Sequence, residues 1–269
     1  MTTQDWRGSG RLRRGPGTLY RKLLTVRYLL ARDRADLGRF LCRPRELGTR
    51  LRLLARFIAI TNAVRGYHTM GEMLTIADAI LAAGRRRSPV VVECGVGYGS
   101  STAKLSVAVA AVGGHLNAFD SFSGMPANTE THHHLDGRPA VFRRRAFRGR
   151  LARVKRVLGR WGEASVVTLH KGWFADTLPH HTPSCIDVAV LDVDLAASTR
   201  TCLRHLWPRL DPQGVLFTQD GHLREVVELL GDADFWWREI GAAPPAIPGL
   251  GRRKLLAIRP TRPDPERGT

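Results

Sequence analysis

Val90-Val91-Val92-Glu93-Cys94-Gly95-Val96-Gly97-Tyr98-Gly99-Ser100-Ser101-Thr102 is the stretch whose reading decides the fold. The run Val90-Val91-Val92, preceded by Pro89, is β-branched throughout and reads as a fully buried parallel strand. It stops at Glu93, passes three alternating glycines and enters an apolar helical pattern at Leu105, Val107, Ala108, Val109, Ala111 and Val112. Such glycines let the backbone turn tightly and let a ligand approach it with no Cβ in the way. Ser100 or Ser101 is placed to cap the helix, whose first amides favour negative charge over the turn. A strand, turn and helix in this order hold a nucleotide-like cofactor in a doubly wound sheet.

The glycine spacing narrows the choice. Dinucleotide-binding turns use G-x-G-x-x-G, whereas Glu93 is followed by G-x-G-x-G, which fits NAD poorly. Asp120 closes the next strand (His115 to Phe119), about 20 residues on, where an acid can take both ribose hydroxyls. Further strands are expected at Ser165–Leu169, Ile186–Leu191, Val215–Thr218 and Lys254–Ile258. Helices are expected at residues 147–160, Ser198–Leu210 and Leu223–Leu230, with Asp211-Pro212-Gln213-Gly214 as a turn. Strands alternating with helices imply an α/β fold, a mostly parallel sheet covered on both faces.

In such sheets ligands bind beyond the carboxyl ends of the strands, which gathers Glu93, Asp120, Asp192, Asp194, Asp220 and His222 at one edge. Buried carboxylates are costly unless paired or bound to a cation, and oxygen donors suit magnesium. Asp194 also precedes a helix and can simply cap it, and His222 reads equally as a general base or as a hydrogen-bonded loop residue. Residues 127–145 are too long for a plain connection and suggest a lid. Within them, His132-His133-His134 reads as a solvated loop rather than a metal site.

The chain has 269 residues, 43% of them hydrophobic and 25% charged, enough for a full-sized core. Four cysteines without C-x-x-C pairing (Cys42, Cys94, Cys185, Cys202) fit a reducing cytoplasm, and no apolar run is long enough for a membrane span. The net charge is +18, carried mostly by arginine. That balance attracts nucleic acid or acidic surfaces, but it also follows from an arginine- and alanine-rich composition alone. The division expected is a basic N-terminal helical extension over residues 1–62, a main domain over 63–260 and a flexible tail over 261–269. Within the extension, helices are expected over Leu19–Leu30 and Leu47–Thr61; Met70–Ala83 forms the next helix, ending at Gly84. The arginine-bearing apolar stripes of the extension read as packing on the main domain or on a second subunit, so a homo-oligomer is expected.

The turn Glu93-x-Gly95-x-Gly97-x-Gly99 resembles the first motif of Rossmann-like class I methyltransferases, which use S-adenosylmethionine. Asp120-Ser121-Phe122-Ser123-Gly124-Met125-Pro126 resembles the D-S-F-x-G-[ML]-P segment of the macrocin O-methyltransferase family. Gly172-Trp173-Phe174-Ala175-Asp176-Thr177-Leu178-Pro179 and Leu191-Asp192-Val193-Asp194-Leu195-Ala196-Ala197-Ser198-Thr199 resemble two further segments of it, so the likeness covers about Met70 to Ile258. This resemblance implies cofactor contacts at Glu93, Gly95, Gly97, Tyr98, Gly99, Ser100, Ser101, Asp120, Ser121, Phe122, Gly172, Trp173, Phe174 and Asp192. It further implies magnesium on Asp192 and Asp220, catalysis by Asp192 with His222, and a hydroxyl-bearing small molecule, a sugar or other secondary metabolite, as acceptor. The family usually has two acids and a tyrosine where this chain has Gln219-Asp220-Gly221, and a tyrosine at Ala196. The alternatives are a methyltransferase directed at RNA or nitrogen through the basic extension, and a related binding protein without activity.

Overall fold

The computed structural model describes residue 27 and residues 31–260. The basic lead, most of the helix expected over Leu19–Leu30, and the tail lie outside the described residues. Among the elements whose bounds are described, three helices precede the sheet: α1 (Arg34–Leu41), α2 (Leu47–Ala63) and α3 (Met70–Gly84). Then follow β1 (Val90–Cys94), α4 (Ser100–Ala110), β2 (His115–Asp120) and a small ribbon of β3 (His132–His133) and β4 (Pro139–Ala140). The chain continues with α5 (Leu151–Trp161), β5 (Val167–Lys171), α6 (Phe174–His181), β6 (Ile186–Leu191) and α7 (Ala196–Leu206). It ends with β7 (Leu210–Thr218), α8 (Arg224–Gly231) and β8 (Leu256–Ile258).

The main sheet runs β5-β2-β1-β6-β7-β8, parallel except where β8 joins β7. The chain therefore winds outward from β1 to β5, then returns to β6 and winds the other way. The reversal between β1 and β6 is the switch point at which such sheets take ligands. Side chains alternate across it, as strand geometry requires. Val91, Leu116, Ala118, Val188, Val190, Val215 and Phe217 face α2, α3, α4 and α5. Val92, Cys94, Phe119, Ala189, Leu191, Leu216 and Ile258 face α6, α7 and α8.

α1 has no counterpart among the expected helices: Phe40 is its one buried residue, too little for a visible periodicity. It is held by charge instead. The Arg50 guanidinium, wholly buried, donates to the Phe40 carbonyl, to Glu46 and to Asp78, tying α2 to both neighbours. The Asp33 carboxylate accepts from the Gly71 amide and so caps α3, which also carries a capping box between Thr69 and Glu72.

Several expected boundaries move for identifiable reasons. The helix expected from residue 147 begins at Leu151, because Phe147 (φ 57°) and Gly149 are used to cover the glycine turn. α7 starts two residues before Ser198 and stops at Leu206. The turn 211–214 is an excursion inside β7: Ile186 pairs with Leu210, yet Val188 pairs with Val215. Residues 164–166 form a 3-10 turn before β5, and β8 begins at Leu256 rather than Lys254.

Phe57 of α2 is fully buried in the core shared with the sheet. Phe57→Ala should therefore cost about 3–5 kcal/mol, read as a lower urea midpoint for the whole chain in a single transition.

Candidate active site

The two loops at the switch point are built alike. After β1, the amides of Val96 and Gly97 donate to Asp120 Oδ2 at 2.8 and 3.0 Å, and Asp120 comes from the neighbouring β2. After β6, the amides of Val193 and Asp194 donate to Asp220 Oδ2, both at 3.0 Å, and Asp220 follows the neighbouring β7. Each inner loop is thus folded around a carboxylate from the strand outside it. Gly95 (φ 96°) is required by crowding as well as conformation, since a Cβ there would stand 2.0 Å from the Asp192 carbonyl. Gly97 meets nothing nearer than 3.9 Å and leaves its face open.

Asp120 Oδ1 accepts from the Phe122 amide at 2.6 Å. A carboxylate offers about four lone-pair directions, and three are spent on the chain, which leaves one for a ligand hydroxyl. Ser121 stabilises the following bend, donating to the Gly124 carbonyl and accepting from the Ser123 amide. Gly172 donates its amide to the Asp120 carbonyl. The Trp173 ring beside it is 44% exposed, and Phe174 tucks against the second core. Tyr98 lies under the Arg153 guanidinium and beside Tyr67.

Neither Ser100 nor Ser101 caps α4, contrary to expectation. The cap is Gly99 (φ 84°), with no side-chain bond to the first amides. Both serines lie inside the first turn and are buried; Ser100 Oγ donates to the Val64 carbonyl and accepts from Lys104 Nζ. The segment 64–69 crosses here, because Lys104 Nζ also sits 2.7 Å from His68 Nε2 and Lys254 Nζ donates to the Tyr67 carbonyl.

Asp192, Asp194 and Asp220 present carboxylate oxygens that all lie within 4.8 Å of one another. Asp194 is no helix cap: it sits at φ 61° with its side chain in this cluster, and α7 is capped otherwise. The Ala196 amide donates to His132 Nε2 and the Ala197 amide to Glu130. The three histidines are accordingly not a solvated loop. His132 is buried, His133 pairs with Glu225, and the His134 ring stacks on His222. They point to different partners, so they do not converge on an ion.

Crowding and burial shape the charges. Burial and the charge of Asp192 push Asp220 up to about 7, and burial followed by repulsion from Asp220 and Asp192 lifts Asp194 well above the usual carboxylate range. Burial raises Asp192 against the pull of Lys254, and burial pushes Glu93 up to about 8. His222 is lowered to about 4 by burial and by Lys254. Buried polar atoms without a partner concentrate at this edge: both Glu93 oxygens, Asp220 Oδ1, the Gln219 amide and His222 Nδ1. Such orphans suit a polar, cationic ligand, and three clustered carboxylates suit a hard divalent ion.

The model of the Macrocin-O-methyltransferase (TylF) family matches residues 59–233. The chain belongs to that family. A curated relative is the 8-demethyl-8-(2,3-dimethoxy-alpha-L-rhamnosyl)-tetracenomycin-C 4'-O-methyltransferase of Streptomyces olivaceus, 30% identical over 178 residues. That match spans 63% of this chain and 66% of the relative. Among solved structures, the O-methyltransferase NovP superposes with a TM-score of 0.55 at 19% identity, covering 71% of this chain and 79% of its own. CalS11, a calicheamicin methyltransferase, gives 0.53 at 19% identity, covering 95% and 99%. At that identity these two structures establish the fold: a class I methyltransferase sheet preceded by helices.

The residues that sequence reading missed are those whose role depends on long-range folding. Lys254, whose charge acts on all three acids of the cluster, reads in the sequence only as a strand residue, although it is one of five lysines in an arginine-dominated chain. Glu130, Tyr67 and Lys104 carried no signal at all.

Two outcomes are expected. Asp120→Ala should weaken binding of S-adenosylhomocysteine about tenfold or more by calorimetry, since it frees the amides that shape the turn. Burial lowers Lys104 from 10.5 to about 7, so the unfolded chain binds this proton first as pH falls. Wild type should therefore lose urea stability relative to Lys104→Met between about pH 10 and pH 7, with the gap constant below.

Proposed function

We propose that this protein transfers the methyl group of S-adenosylmethionine to a sugar hydroxyl of a secondary metabolite. The observation that carries the reading is the acid cluster of Asp192, Asp194 and Asp220 beside an open glycine turn, at the switch point of a chain in the macrocin O-methyltransferase family. A relative named for methylating a rhamnosyl 4'-hydroxyl supports the acceptor class.

The residues divide the work. The open face of Gly97, the uncapped amides of α4 and the orphaned Glu93 carboxylate receive the methionine end, whose ammonium suits a buried acid. The remaining lone pair of Asp120 takes one ribose hydroxyl, and Tyr98, Ser121, Phe122 and Gly172 to Phe174 border the rest of the cofactor. Asp192 and Asp220, joined by Asp194, would hold magnesium, which would supply Lewis-acid polarisation of an acceptor hydroxyl. That oxygen attacks the methyl carbon in line, the S–CH3 electron pair returns to sulfur, and a methyl ether and S-adenosylhomocysteine result. Placement of the two reactants supplies much of the acceleration. His222, held neutral by burial and by Lys254, receives the hydroxyl proton.

The test is turnover with S-adenosylmethionine and a rhamnosylated acceptor. EDTA should abolish it and magnesium restore it, and Asp192→Asn should lower kcat at least about a hundredfold while S-adenosylhomocysteine still binds. Full turnover in chelator would remove the metal from the mechanism.

A further inference from the structure

Charge is segregated along this chain, which an arginine-rich composition by itself would not produce. Residues 137–162 carry ten arginines and lysines and no acid, whereas residues 163–239 carry six against twelve acids. Nine of the ten, from Arg143 to Arg160, are exposed. The two flanking acids are already engaged, Asp136 by Arg138 and Glu163 by Arg56, and among the described residues none of the nine pairs with a carboxylate.

The segregation is also spatial. α5 lies in the first helical layer beside α2, whose Arg56 donates to the Trp161 carbonyl, and it buries Val154 and Leu158 in the core of that layer. Arg153, Lys155, Arg156 and Arg160 are left exposed on it. Glu228, Asp232, Asp234 and Glu239, all exposed, lie on and after α8 in the second layer, across the sheet. The basic strip has a fixed origin. Arg145 donates its amide to the Met125 carbonyl, and Gly149 packs on the Gly97 carbonyl, so the strip begins at the glycine turn and runs from there along α5. Val141, just before the arginine trio 143–145, is 72% exposed.

An acid-free cationic face is drawn to a surface of opposite charge, and each arginine or lysine near an anionic bilayer adds to the attraction. An apolar side chain at the margin of such a face can enter the boundary between headgroups and acyl chains. Residues 143–160 expose no aromatic ring on which a nucleic acid base could stack, which favours phospholipid over single-stranded RNA. We propose that this face docks on anionic phospholipid and holds the opening above the glycine turn against the bilayer surface. The proposal stands apart from the methyl-transfer reading, since it assigns a surface and not a substrate.

The experiment is co-sedimentation of the full chain with vesicles of phosphatidylcholine containing about 30% phosphatidylglycerol, and with vesicles of phosphatidylcholine alone, at about 0.1 M and about 0.5 M sodium chloride. Wild type is compared with the variant Arg144→Gln/Lys155→Gln/Arg156→Gln. A control of equal net charge, Arg204→Gln/Arg224→Gln/Arg252→Gln, removes exposed cations from α7, α8 and the loop before β8. Urea midpoints of both variants should match wild type, so that a loss of sedimentation reads the surface and not the fold. Wild type and control should bind the mixed vesicles within about twofold of each other, and the first variant should bind about tenfold or more weakly. Binding of wild type should fall about tenfold or more at the higher salt. No binding of wild type to the mixed vesicles, equal losses in the two variants, or equal binding to phosphatidylcholine alone overturns the proposal and leaves methyl transfer untouched. A short single-stranded RNA bound about tenfold more tightly than the mixed vesicles, and lost with the same three substitutions, assigns the face to nucleic acid and likewise overturns it.

Discussion

Two carboxylates, each accepting a pair of backbone amides from a loop on the adjacent strand, hold the switch point together. Asp120 does this for Val96 and Gly97, and Asp220 for Val193 and Asp194. Strand ends in a parallel sheet leave amides unpaired, and a buried amide without a partner costs free energy comparable to a lost hydrogen bond. Here the acid one strand further out meets that need. The arrangement brings the β1 and β6 loops so close that the Gly95 position touches the Asp192 carbonyl. The glycine turn and the acid cluster are therefore one structure, and neither can be displaced without the other.

The same closeness sets the electrostatics. Asp192, Asp194 and Asp220 are crowded among themselves, with the charge of Lys254 acting against their repulsion, and burial adds to the cost of their charge. Like charges within a few ångströms in a partly desolvated site raise one another's proton affinity. Such a site stores an unmet demand for positive charge. Nearby, Lys104 inverts the pattern: it is a buried ammonium whose neighbours are His68 and Ser100, with no acid. These two lysines tie segment 64–69 to the edge of the site, so the connection between α2 and α3 reaches the region where the cofactor turn lies.

The connection between β2 and α5 joins these parts to solvent. Its acidic and histidine-bearing half caps α7 and contacts α8, and its arginine-bearing half lies on the glycine turn. One segment thereby presents two surfaces of opposite chemistry to whatever enters the mouth. None of the histidines within it meets another of the three at a common point, because His132 is committed to α7, His133 to Glu225 of α8 and His134 to His222 in the loop after β7.

Much of this was legible in the residues. The β-branched runs at Val90, Ile186 and Val215, the glycine turn and the acids at strand ends determined an α/β sheet with its ligands at the carboxyl edge, because period-two burial and glycine turns are local properties. Local rules misplaced the cap on Ser100 or Ser101 and left Asp194 open between cap and acid cluster, since such residues can cap a helix and only the packing of neighbouring loops decides whether they do. The charged anchoring of α1 through Arg50 and Asp33, the capping of α7 by Glu130 and His132, and the nearness of Lys254 to Asp192 join residues far apart in the chain. No periodicity records such pairings. The sequence determined which groups were available and on which strand ends they would sit; the tertiary structure alone decided which groups share a buried space, and hence which stay charged.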